Sequence, residues 1–189
     1  MAMVLPLLIL LIFGIVEFGL AFNKRLTIGN ASQSAARVGT AVANNEYADI
    51  SLLEALEQGL ISLPGSGQDT IKAVHVYKAD SNGNPANGCP SATCNIYTYS
   101  YNPTGCNWTP CPDPDPPVSF DVSGLNWNPE DRNAAVGNLD VLGVRVYFSH
   151  TWISGGFPIP NLACATPPTN CWVDTAIMRL EPQQLGVGG

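Results

Sequence analysis

Residues 3–22 read MVLPLLILLIFGIVEFGLAF, and residues 23–45 continue as NKRLTIGNASQSAARVGTAVANN. The first stretch carries one charge, Glu17. As a helix it spans ~30 Å, the depth of a bilayer's hydrocarbon core. The second stretch still favours helix but turns small and polar. Thr27, Ala31, Ala35, Gly39 and Ala43 recur at every fourth position and so fall on one stripe. Small side chains at that spacing let another backbone approach closely. Together the stretches predict one rod of ~65 Å, longer than a membrane anchor needs and suited to packing against copies of itself. Leu5, Pro6, Gly14, Glu17 and Gly19 in the apolar half are expected to carry helix packing and assembly, as are Ala31, Ala35, Gly39 and Ala43 in the striped half.

The words VLPLLILLIFGIVEFG and QSAARVGTAVA resemble the start of TadE-like proteins, the minor pilin or pseudopilin family of tight-adherence pili. TAIMRLEP at residues 175–182 is similar to the closing strand of that family. The resemblance covers about the first quarter and the last tenth of the chain. It implies partners: other copies or other pilins, an ATPase-driven assembly platform, a prepilin peptidase, and the membrane before assembly. A family precursor carries its peptidase site just ahead of the apolar run, where Met1-Ala2-Met3 stands here. No cleavage residue is therefore carried over.

The rest of the chain points outside the cytoplasm. All six cysteines lie beyond the rod, as the pairs Cys89 and Cys94, Cys106 and Cys111, Cys164 and Cys171. An even count behind a membrane-targeting start predicts disulfides in an oxidising compartment. Each pair brackets a short loop, which favours the local pairings among the 15 possible connectivities. Zinc is the competing use of these thiols, but the loops hold no histidine and lack CxxC spacing. Lys24 and Arg25 follow the apolar run directly, and the positive-inside rule would hold that end in the cytoplasm. The cysteines demand the opposite and decide the orientation. A net charge of −7 with eight Lys and Arg cannot neutralise a phosphate backbone, so nucleic acid is excluded as a partner.

Residues 1–45 are thus read as the helix and 46–189 as an extracytoplasmic α+β domain. In that domain Ser51 and Glu54 form a capping box for a short helix with Leu52, Leu53, Leu56, Leu60 and Ile61 on its apolar face. Strands are expected at 71–78, 95–101, 140–152 and 172–180, with a long irregular insert over 102–129. In the third strand Leu142, Val144, Val146, Phe148, His150 and Trp152 alternate with more polar residues, so one face is buried. Tight loops between strands favour an antiparallel sheet with helix on one face.

Signs of catalysis are absent from the sequence. His75 and His150 fall inside predicted strands without a nucleophile or carboxylate motif, and no phosphate-binding, zincin or nucleophile-elbow pattern occurs. No cofactor is implied. Asp80, Asn82 and Asn84 open like a calcium loop, but Pro85 and Ser91 occupy the glycine and glutamate positions, so a turn is expected. Asp113, Asp115 and Asp121 read as a solvated acidic loop, and the triplets at Asn30 and Asn107 as chance glycosylation matches. Glu17 needs either the outer headgroups or a cation such as Lys24, Arg25 or Arg37 of a neighbouring subunit. The reading is a pilin-like subunit, held in the membrane and then drawn into an extracellular filament that supports adherence. Its rival is a secreted adhesin or carbohydrate binder, cut after Gly19-Leu20-Ala21 and displaying Tyr97, Tyr99, Tyr101, Trp108 and Trp127.

Overall fold

The computed structural model describes residues 4–67, 70–99, 119–153, 164–165 and 168–183. Helix α1 runs unbroken from Val4 to Val42, 39 residues or ~59 Å. Pro6 falls in its first turn, where a missing N–H breaks no helical bond. The helix stops where Ala43 takes a left-handed φ of 40° and donates its N–H to the Gly39 carbonyl. The last member of the predicted stripe therefore closes the helix rather than extending it.

Helix α2, Ala48–Leu60, folds back along α1. Gly39 faces Leu52, and Ala31 faces Gly59, so the two helices run antiparallel. Leu52, Leu53, Leu56 and Leu60 are buried, but Ile61 lies outside the helix and is exposed. The helix also begins three residues before the predicted cap. Ser51 sits inside it, and the Ser51–Glu54 spacing imitates a capping box without forming one. Tyr47 is the N-cap and makes no side-chain cap, and Asp49 in the first turn is buried.

Five strands form one antiparallel sheet in the order β3-β2-β1-β4-β5. They are β1 Ile71–Lys78, β2 Cys94–Tyr99, β3 Phe120–Gly124, β4 Val141–Phe148 and β5 Trp172–Arg179. Strand β3 was not expected; it lies in what reads as an irregular, proline-rich insert. Its pairing with β2, Tyr99↔Phe120 to Ile96↔Gly124, is what makes it a strand. Strand β4 ends at Phe148, so His150 and Trp152 follow it rather than belonging to it.

The helices cover one face of the sheet. Val74, Val76, Tyr97, Leu142, Val144, Val146, Phe148 and Ala176 meet Ile28, Ala31, Ala35, Leu52, Leu53 and Leu56 in one core. The second half of α1 is thus part of the domain's interior. β1 is buried on its other face as well, because Tyr77, Ala79 and Cys94 form a small second cluster with Cys89, Ile96 and Val141 packed on it. Gly143 makes room there: a Cβ on it would lie 2.4 Å from the Tyr77 ring, and the Tyr77 hydroxyl donates to the Gly83 carbonyl at 3.0 Å.

Candidate assembly interface

The described residues split α1 into two regimes. From Val4 to Val16 the large apolar side chains stand exposed on all sides, Leu5, Leu7, Phe13 and Ile15 each by more than half. At ~1.5 Å per residue this bare segment is ~20 Å long. From Glu17 onward one line of residues is buried or half-buried: Glu17, Ala21, Lys24, Ile28, Ala31, Ala35, Gly39 and Ala43. The stripe therefore begins ten residues before Thr27. Its partner is this chain's own α2 and sheet, with Gly39 against Leu52 and Leu142, and Ala31 against Gly59. Gly14 and Gly19 differ, since a Cβ on either meets nothing within 4 Å. The side chain of Pro6 lies outside the described residues.

Glu17 is 6% exposed, and its Oε2 accepts the Ile153 backbone N–H at 3.0 Å. The segment after β4 thus reaches across to the apolar half of the helix. Trp152 packs edge-on against Phe18 with centroids 5.7 Å apart, and His150 and Trp172 stand behind it. Burial lowers the His150 pKa, helped by Lys24 and opposed by Glu17. One oxygen of Glu17 is thus partnered by backbone of the same subunit. Tryptophans at this level suit a headgroup belt, with the ~20 Å of Val4 to Val16 beyond them. By length and composition α1 is able to span a membrane.

Cys89 is bonded to Cys94 and Cys164 to Cys171. Cys106 and Cys111 lie outside the described residues, as do Tyr101, Asn107, Trp108, Asp113 and Asp115. Non-reducing peptide mapping is expected to recover all three local pairs, and a peptide joining Cys89 or Cys94 to Cys164 or Cys171 would defeat that scheme. The Asp80 carboxylate accepts the N–H groups of Asn82 and Asn84 at 2.8 and 2.9 Å, the hydrogen bonding of a turn. Tyr97 and Trp127 are buried and offer no ligand surface.

His75 sits in β1 with its ring 4.6 Å from that of Tyr147. One of its ring nitrogens and the sulfurs of Cys89 and Cys94 lie within 4.8 Å of one another. The cysteine loops hold no histidine in sequence, and strand pairing supplies one: His75↔Ile96 and Tyr77↔Cys94 place these side chains on one face. Burial, with Arg145 adding to it, lowers the His75 pKa from 6.5 to about 4. Its neutral form is the stable one when folded, so this contribution is complete above pH 6.5 and is lost as pH falls towards about 4. Melting temperature is expected to fall through that window, with a shallower slope in His75→Phe; an unchanged slope would contradict this.

No curated protein and no solved structure matches the chain. Residues 1–37 match the family model described as TadE-like protein, so the bare apolar segment and the start of the buried stripe together carry the signature of the TadE-like family.

Proposed function

We propose that the chain is a pilin-like structural subunit of a tight-adherence pilus. Residues 1–45 serve as the filament-core helix and residues 46–189 as the extracytoplasmic domain. It waits as a single-pass inner-membrane protein and is drawn into an extracellular filament that supports adherence. Assembly platform and prepilin peptidase are the partners this reading requires. The observation that carries it is the bare helix. Val4 to Val16 exposes Val, Leu, Ile and Phe in every direction, more apolar surface than a protein keeps in water. Lipid before assembly and neighbouring helices after it would both cover that surface, so extraction exposes nothing new to water. Two local disulfides hold loops of the domain, as suits an oxidising compartment.

The secreted alternative loses support. A cut after Ala21 would remove Glu17 from the Ile153 N–H and Phe18 from Trp152. Gly14→Leu and Gly19→Leu test the filament reading, because both side chains would point into open space within the subunit. The amount held in membranes is expected to stay near wild type, while the sheared-filament yield drops several-fold. Normal filament yield in both variants, or a native chain that starts at Phe22 in the medium, would sink the proposal.

A further inference from the structure

We propose that His75, Cys89 and Cys94 bind one zinc-type divalent ion when the two cysteines are thiols, and that the Cys89–Cys94 disulfide replaces this ion on oxidation. The three side chains offer an imidazole nitrogen and two sulfurs within 4.8 Å of one another, a donor set suited to zinc with a fourth position left for water. β1 and β2 fix two of the donors through their register, and the turn over residues 79–93 returns the third. His75 is only 5% exposed, and neither ring nitrogen has a hydrogen-bond partner. A buried imidazole left unpaired is costly, and a metal bond would satisfy it. The neutral ring that burial favours is also the ligating form. The charged neighbour is Arg145, whose guanidinium lies 5.3 Å from the centre of the Tyr77 ring. A divalent ion with two thiolates carries no net charge, so the site adds no repulsion beside that cation.

The exchange balances. The two thiolates each give one electron to the disulfide of an oxidising thiol–disulfide protein. The sulfurs join, that disulfide takes two protons and becomes two thiols, and the metal ion departs. The binding itself does not depend on the filament reading, and the test below involves no filament.

The full chain in detergent, with Cys106, Cys111, Cys164 and Cys171 changed to serine, is reduced with a phosphine that is then removed without oxygen. Cobalt(II) titration is read by thiolate-to-metal charge-transfer absorption. One equivalent is expected to bind, to be displaced by zinc, and to be released when the pair is oxidised with a small disulfide. His75→Phe keeps a ring against Tyr147 and is expected to weaken cobalt binding at least tenfold with an unchanged circular dichroism spectrum. Should the serine background not fold, the reduced wild-type chain and its His75→Phe variant give the same comparison. A folded, reduced chain that binds no cobalt overturns the proposal, as does equal affinity with phenylalanine at position 75.

Discussion

Replacing Gly39 with leucine is expected to remove the protein from membrane and filament fractions alike. A Cβ at Gly39 would stand 2.5 Å from Leu52 Cδ1 and 2.9 Å from Leu142 Cδ2. Both leucines are fully buried, so neither has free space to move into. Alanine alone forces a shift; leucine adds three further carbons. Overpacking of this kind costs ~1–3 kcal/mol for modest additions, out of a total stability of ~5–15 kcal/mol. The damage falls on the join of α1, α2 and β4 inside one subunit, before any filament forms. Gly39→Ala gains ~1 kcal/mol of helix propensity and is expected to lose more than that in packing. Gly59→Ala should be worse than Gly39→Ala, because its Cβ would lie 2.8 Å from the Ala31 Cα, and backbone yields less readily than a side-chain end. Melting of the detergent-solubilised chain should rank wild type, Gly39→Ala, Gly59→Ala and Gly39→Leu in falling order. A Gly39→Leu protein that melts like wild type and accumulates in membranes would refute this packing.

The contrast with Gly14 and Gly19 shows what the sequence makes legible. The four-residue spacing of small side chains reveals a close approach, but spacing cannot say against what. That answer needs Leu52 and Leu142, which arrive from 13 and 103 residues away along the chain. The β4 alternation is readable because Leu142, Val144, Val146 and Phe148 face one core, while Arg145 and Tyr147 are half-buried on the far side. β3 is not readable. Its five residues, FDVSG, follow a proline-rich run and include a glycine, so only its partner β2 makes it a strand. Ser51 misleads for a local reason: a Ser-x-x-Glu pattern occurs inside a helix as easily as at its start. Likewise His75 joins the Cys89–Cys94 pair only through the β1–β2 register, since 14 residues separate it from the nearer cysteine. The apolar helix needed no such help, because a membrane-length run is a property of composition alone.

Asp49→Ala is expected to cost ~3–5 kcal/mol, the range for stripping one partner from a buried ion pair. Asp49 and Arg132 are 3% and 0% exposed in their side chains and form that pair at 2.5 Å. The same carboxylate accepts Asn95 Nδ2 at 2.8 Å and the Tyr97 hydroxyl at 2.5 Å. Asn95 in turn accepts the N–H groups of Asn126 and Trp127, and the Arg132 guanidinium lies over the Trp127 ring at 4.6 Å. One side chain in the first turn of α2 therefore ties the helix to β2 and to the segment after β3. Burial, and then the neighbouring Asp49 carboxylate, push the Tyr97 pKa well above the ordinary phenol range, so the hydroxyl remains a donor to it. With alanine at 49, Arg132 stays charged in a dry site, and its Nε and Nη1 already lack hydrogen-bond partners. Removing the cation as well should recover part of the loss. Asp49→Ala with Arg132→Met is expected to be more stable than the sum of the two single changes predicts, with a coupling of ~1–3 kcal/mol. Urea unfolding of the four proteins measures this. Additive single changes, or an Asp49→Ala loss under ~1 kcal/mol, would mean that solvent reaches this pair and that α2 is held by its leucines alone.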